Sequence, residues 1–533
     1  MPVKTVPLVG SLTARGWAKA IGTSQKDQQY INCLFDVSEN KQAGTKNVYA
    51  IKRAGSSTST TIASGVKIQR GYASSLGAFG GSLYSAGTTV YSSNATAIGT
   101  VASGFGDDGG VADTNINNQT VLAFIDAAGS GYFVYDDAVT TNFPTFSGDT
   151  HTNTVIDGIA STTGIYPGQK LSGTGIVAGT RVETITSATA ITVDTATTGT
   201  ATVTITKEAI AKITDADFPD GSCVSIEAVD GYLFAARRDG RIFNCQLNAP
   251  SIWQADWVIA ADWRSDGLYR VFKVGMYLVA LGTATLQYFQ ITGNSSGSVL
   301  SRSNGLMRQS ADLGLIQKPV YDIDGNAYSI DNSGRIYKFS PSGELDIVNN
   351  NILSETLSSS GLSSIGTATI GTKNLLCFFS GSATEIAVYD PETGMPSVVT
   401  MGAAITSSFK NAFTKSAAST LFAWASGDSY TDSSSAYTMT IQTEPLLLNR
   451  GKPFIINSIE LMADNQASGT TGISCSGDDY ASFSTERTYD MTVTRKRLTQ
   501  FGQFRSSVAI KLTHTANTAW RGQALVIDWE PCD

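Results

Sequence analysis

Residues 120–136 read TVLAFIDAAGSGYFVYD. Two runs of β-branched and aromatic residues flank a glycine-containing turn at 129–131. Such runs favour extended backbone, and glycine reaches the positive φ that a tight reversal needs, so the stretch is expected to be a β-hairpin. The same unit recurs at 78–92, 232–247, 276–289, 326–339, 375–389 and, more weakly, 421–440. Most of these turns carry glycine, as at Gly87, Asp239-Gly240, Asn332-Ser333-Gly334 and Gly381. With 145–207 set aside, the hairpins recur at intervals of roughly 40–50 residues, the period of a β-propeller blade. A single four-stranded blade cannot bury both of its faces, whereas a ring of blades buries them against one another. The hairpins imply six or seven blades, with the N-terminal strands available to close the ring. Stacked sandwiches are the competing arrangement, and the regular spacing favours the propeller.

Two segments break the rhythm. Residues 148–206 consist almost entirely of Thr, Ala, Gly, Ile and Val, with Tyr166 the sole aromatic. This segment is expected to be a small immunoglobulin-like β-domain inserted in an inter-blade loop. After 443 the strands fall at sandwich-like spacing. The expected fold is thus all-β: a propeller with an inserted immunoglobulin-like domain and a C-terminal β-sandwich. The expected boundaries are 1–144 for N-terminal strands and first blades, 145–207 for the insertion, 208–442 for the remaining blades and 443–533 for the sandwich.

Composition narrows the function. The chain has 533 residues, 52 of them glycine, and only 15% are charged, against roughly 25% in an ordinary soluble chain. A surface of neutral hydroxyls and amides suits a protein packed against neighbours. The net charge of −8 disfavours a dedicated nucleic-acid binder, which neutralises phosphates with Lys and Arg. The six cysteines are widely spaced and form no CxxC, so they are expected to be buried thiols of a protein made in a reducing compartment. No apolar run reaches the ~20 residues of a membrane helix, and residues 1–16 do not read as a signal peptide.

No catalytic constellation is legible, and the chain is expected not to be an enzyme and to need no cofactor. The two histidines, His151 and His514, fall in different expected domains, and neither sits in a nucleophile-elbow motif. The doublets Asp107-Asp108, Asp136-Asp137 and Asp478-Asp479 point to opposite faces of a strand, which suits turns better than acid/base pairs. Asp215, Asp217 and Asp220, and likewise Asp322, Asp324 and Asn326, lack the fuller oxygen set of a calcium loop and are read as Asx-turns. Basic residues gather at Arg237, Arg238 and Arg241, in the run Arg495-Lys496-Arg497 with Arg505, and around a long Gly/Ser/Asn stretch marked by Arg302, Arg308 and Lys318. That stretch, within 281–319, is expected to be an excursion from one blade, because structureless loops of this length are uncommon and usually functional. Deleting 294–308 should then leave the propeller folded but impair assembly.

Read onward, this stretch is familiar. TLQYF at 285–289, Thr292-Gly293, the Ser/Gly-containing loop and Gly314 ahead of the next hairpin resemble the tail-nozzle, or packaged-DNA stabilisation, proteins of short-tailed phages. The resemblance covers about 230–345 and, through RKRLTQFGQFRSSVAIKLT at 495–513, about 490–530; it skips 145–207. It implies a virion protein, a hexameric tail hub below the portal–adaptor ring, made in the host cytoplasm. Such a hub retains packaged DNA, conducts it during ejection without sequence-specific contacts, and holds tail fibres or spikes and any plug or needle. Arg302, Arg308 and Lys318 are then candidates for a channel or interface loop, and Arg495, Lys496 and Arg497 for a basic interface. The alternative is a propeller-based glycan-binding adhesin or glycosidase, although the repeated Ser-x-Asp-x-Gly-x-Thr-Trp turn of sialidase propellers is absent; Ser265-Asp266-Gly267 has the wrong spacing.

Overall fold

The computed structural model describes residues 2–9, 29–40, 45–61, 66–69, 83–92, 97–105, 111–116, 119–135, 143–262, 267–282, 285–293, 297–302, 308–309, 320–321, 325–331, 335–348, 364–379, 384–403, 405–409, 412–415, 420–425, 429–494 and 496–532. Every regular element among them is a β-strand.

The chain is an all-β propeller. Successive antiparallel sheets span 66–100, 111–212, 223–260, 268–309, 320–347 and 364–400 and form blades 1 to 6. Blade 7 is built from Ile405–Phe409, Ala412–Lys415 and Thr420–Trp424, and its fourth strand is Ser56–Thr61 from the N-terminal part of the chain. Thr420 pairs with Thr61 and Ala423 with Ser57, and the first strand of blade 7 packs beside the first strand of blade 1. The ring is therefore seven-bladed and closed by an N-terminal strand. The hairpin expected at 421–440 is displaced: the central pair of blade 7 is Ala412–Lys415 with Thr420–Trp424.

The central strands of blades 2 to 6 are buried on both faces over most of their length. All of Gly131–Tyr135 is buried, as are Val121 to Ile125 and Leu278 to Leu281. Each blade shares a core with the next. Phe272, Leu281, Leu286 and Tyr288 of blade 4 pack on Ala327, Tyr337 and Phe339 of blade 5, and Ile330 and Ile336 pack on Phe378 and Tyr389 of blade 6. Each of the Leu, Ile and Phe side chains removed from water contributes about 1.5–3 kcal/mol. Two blades share a polar clasp at the turn between their central strands. Asp126 accepts from the Ser130 amide at 2.9 Å and the Tyr132 hydroxyl at 3.3 Å. Asp331 accepts from the Arg335 amide at 2.9 Å and the Tyr337 hydroxyl at 3.2 Å. The same spacing of four and six residues recurs in blade 3 with Arg237 in place of the aspartate and Phe243 in place of the tyrosine.

Part of the stretch read as an excursion within 281–319 supplies the outer strand of blade 4. Leu300–Arg302 pairs with Phe289 to Ile291, and Arg308–Gln309 pairs with Thr285 and Leu286.

The inserted segment also differs from a two-sheet sandwich. Thr145–His151 pairs with Thr200–Lys212 on one side and Val155–Asp157 on the other. The ladder continues through Ala190–Val193 to Val182–Ser187. It returns through a Lys170–Arg181 bridge and the Leu171 amide on Thr180 O, 2.8 Å, to Gln169–Gly173, which pairs with Thr200–Lys212 again. The strands thus close into a small barrel around Ile156, Leu171, Val182, Ile191, Val193 and Ile205; so few core side chains fill one barrel rather than the gap between two sheets. Because Thr200–Lys212 is also the outer strand of blade 2, and Tyr166 stacks on Tyr135 with centroids 4.0 Å apart, the barrel is fixed to the rim.

The sandwich is not confined to residues after 443. One sheet runs Cys33–Asn40, Thr45–Lys52, Arg521–Pro531, Phe454–Ala463 and Arg497–Phe504, with Val3–Pro7 also on Arg521–Pro531. The other contains Gln29–Ile31, Met439–Gln442, Ala509–His514, Thr470–Ser476 and Arg487–Asp490. Both ends of the chain therefore share one core, in which Tyr30 and Phe35 meet Ile456, Leu512, Trp520 and Leu525. Ile31 also pairs in parallel with Val398 of blade 6, so blade and sandwich form a continuous sheet.

Candidate functional site

The densest polar constellation among the described residues lies where the chain leaves the sandwich at Lys52 and enters blade 7 at Ser56. Local geometry forces this crossing. A Cβ on Gly55 would lie 2.1 Å from the Thr431 carbonyl oxygen, so only glycine allows the two backbones to approach. The Gly55 amide donates to Ser429 O at 2.7 Å, and the Ala425 amide donates to Gly55 O at 2.8 Å.

Arg53 is fully buried. Its guanidinium donates to Asn32 Oδ1 at 2.9 Å, Ala54 O at 3.0 Å, Thr400 O at 3.2 Å and both carboxylate oxygens of Asp432, that to Oδ1 at 3.0 Å. It lies 3.9 Å from the centroid of the Tyr437 ring, whose hydroxyl donates to Arg53 O. Asp432 also accepts from Ser56 Oγ at 2.9 Å, and its backbone pairs with Ser56. One carboxylate therefore joins the crossing, the closing strand and the 429–438 segment.

Lys52 approaches Tyr437 as well, with Nζ 4.7 Å from the ring centroid. It donates to Ala516 O at 2.6 Å, and its amide donates to Trp520 O at 2.9 Å. Burial, and then the positive charge of Arg53, pull the Lys52 ammonium down to about 8, against the opposing pull of Asp432. His514 is shut off from solvent. Its Nδ1 is 3.0 Å from Thr470 O and its Nε2 3.1 Å from Thr518 Oγ1. Burial, followed by the charge of Lys52, brings the imidazole down to about 4. The cluster can hold charge, and thereby hold strands together. A buried imidazole held among threonines is placed for neither proton relay nor metal binding.

The residues singled out in the sequence are dispersed. Arg302 ends the outer-strand segment Leu300–Arg302 of blade 4, pairs with Asp262 and donates to Ala260 O at 3.0 Å. Arg308 lies in the same outer strand. Lys318 and Arg495 fall outside the described residues, as do Asp107, Asp108, Asp136, Asp137, Asp322 and Asp324. Lys496 is half-buried; Arg497 is exposed on the sandwich and meets Glu460 at 3.3 Å. Blade 4 and the sandwich edge therefore carry separate charges rather than one basic surface. Asp215 accepts from the amides of Asp217 at 2.9 Å and Trp253 at 3.0 Å, while Asp220 pairs with Lys212 at 2.8 Å, so Asp215 ties the turn to blade 3 and Asp220 ties it to the outer strand of blade 2. His151 meets Asp157 at 2.7 Å on the barrel surface. Among the described residues no group of three His, Cys, Asp or Glu converges as a metal site would require, and no helix is long and apolar enough to cross a membrane. Sequence reading passed over Arg53 and Asp432, which lie 379 residues apart. The one local hint was a Lys-Arg pair next to an Ala-Gly at the end of an apolar strand.

No family model and no curated protein matches the sequence. Solved structures with some likeness include BamB from Moraxella catarrhalis, 12% identical over 70% of this chain and 99% of that one, with a TM-score of 0.32. The WD40 β-propeller domain of Doa1 is 12% identical over 70% of this chain and 98% of that one, at 0.32. Raptor from Chaetomium thermophilum is 8% identical over 70% of this chain at 0.37, and the chain spans only 29% of its length. Likeness at these values says nothing about what the chain does, and the propeller rests on its own strand pairing.

Proposed function

We propose that this chain is a structural protein of a virion tail, a nozzle or hub that forms a ring below the portal–adaptor. In this reading it retains packaged DNA, conducts it during ejection and anchors tail fibres or spikes. The sequence resemblance at about 230–345 and 490–530 motivates the reading. The structural observation that supports it best is the braiding of residues 3–52 with 439–531 in one sandwich, directly before the strand that closes the ring. A conduit under load must not peel apart, and here residues 3–52 and 439–531 are tied into shared sheets although they lie far apart in sequence. The net negative charge suits a passage through which phosphates slide without sticking. Native mass spectrometry and negative-stain imaging of the purified chain test the reading. A six-fold ring, alone or on addition of a portal–adaptor complex, is expected. A monomer that joins no such complex and binds or cleaves host glycans would overturn it.

A further inference from the structure

We propose that the seam around Lys52, Arg53 and His514 is a proton-released latch, which on acidification frees the closing strand Ser56–Thr61 from blade 7 while the other blades stay folded. This inference is independent of the tail reading.

The geometry links four parts of the chain through very few groups. The loop after His514 holds the Lys52 amide through Trp520 O and the Lys52 ammonium through Ala516 O. The same loop reaches the 429–438 segment: Asn517 Oδ1 accepts from the Tyr430 amide at 2.9 Å, and Thr515 and Thr438 share a hydroxyl contact at 3.0 Å. That segment supplies Asp432, which holds both Arg53 and Ser56. Movement of the loop thus loosens Lys52 on one side and the carrier of Asp432 on the other, and both lie at the start of the closing strand.

Charge makes the loop responsive to protons. Lys52 and Arg53 flank the Tyr437 ring, and Asp432 is the carboxylate set against them. Tyr430 and Tyr437 are the other titratable groups of the 429–438 segment at the seam. The strand Thr470–Ser476 and residues 515–520 contain no charged side chain and offer the imidazole only hydroxyls and a carbonyl. On the neighbouring strands, Asp490 is engaged by Thr492, Glu486 accepts from Thr513 Oγ1, and Lys511 lies over Phe483. A proton added to His514 would therefore lie in a closed pocket near Lys52 without a carboxylate of its own among the described residues. The sign follows from linkage. His514 binds its proton at about 4 when folded, against 6.5 ordinarily. Acid therefore favours the open form: the latch is at full strength above 6.5 and weakens as pH falls towards 4.

Hydrogen–deuterium exchange of the full chain, corrected for intrinsic rates from pH 7.5 to 4, tests this. Peptides covering 52–61 and 420–438 should lose protection by about tenfold or more between pH 6.5 and 4, while blades 3 and 4 keep theirs. His514→Gln, which cannot be protonated, should move that midpoint down by about one pH unit or more. Lys52→Met, which removes the neighbouring charge, should move it in the same direction. Simultaneous loss of protection in all blades, no loss at all, or an unchanged midpoint in His514→Gln would overturn the latch. If His514→Gln does not fold, the order of opening in the parent chain and the midpoint of Lys52→Met decide between the same outcomes.

Discussion

Arg53 shows how a charged side chain can sit at zero exposure. Its guanidinium spreads its charge over two carboxylate contacts, two backbone carbonyls, an amide oxygen and an aromatic face, which together replace the lost water. Removing one member leaves the rest uncompensated. Asp432→Ala should lower stability by about 3–5 kcal/mol, read as a fall in the midpoint of chemical denaturation. The apolar double substitution Arg53→Met with Asp432→Leu should recover most of that loss, because no buried charge is then left unpaired. If Asp432→Ala is nearly neutral, the pair is not what holds the crossing. Neither partner was legible in the sequence. A lone arginine after an apolar strand reads as a surface charge, and nothing local signals that it will meet an aspartate from the far end of the chain.

Among the elements, the outer strand of blade 4 shows the limit of hydrophobic patterning. Both strands of the central hairpin are buried on two faces, and their apolar runs were legible at once. The described parts of the outer strand, Leu300–Arg302 and Arg308–Gln309, are mostly polar, and the stretch reads as a loop. Deletion of 294–308 is now expected to harm the folding of blade 4 itself, whereas the sequence-based expectation is a folded propeller with impaired assembly or DNA retention. It would uncover the edge of Thr285–Ile291, whose first five residues are buried, and an open apolar edge pairs with other chains. Size-exclusion chromatography should show aggregation or a shifted profile; a monodisperse variant with unchanged exchange protection in blade 4 would refute this. The closing strand has the same character. SSTSTT at 56–61 carries no apolar signal, although it completes the ring. The inserted segment was legible by composition, but its closure into a barrel depended on one bridge and one backbone hydrogen bond that no periodicity reveals.

On the scale of the molecule, the sandwich and the propeller are expected to behave as one cooperative body. Gln29–Ile31 pairs with strands of both, and the Arg53 crossing ties them again within a few residues. Trp520 tests the coupling. It is buried in the sandwich core, donates to Thr471 Oγ1 at 2.9 Å and packs in the core shared by both chain ends. Trp520→Ala should cost about 3–5 kcal/mol and raise amide exchange in Ser56–Thr61 and blade 6 together with the sandwich. If the sandwich alone becomes labile, the two parts are independent and the cooperative view fails.

The sequence by itself determined that the chain is all-β, that hairpins repeat with a blade-like period and that a compositionally distinct unit interrupts them. These features follow from local rules: apolar runs make strands that are buried on both faces, and glycine makes the turns between them. The tertiary structure alone decided that there are seven blades, that a strand of serines and threonines closes the ring, and that the sandwich is woven from both ends of the chain. The physical reason is that these pairings are made by backbone N–H and C=O groups, which every residue but proline carries in full. An edge strand needs no particular side chain, so its partner is selected by where the rest of the fold delivers it, and the sequence carries no local mark of that choice.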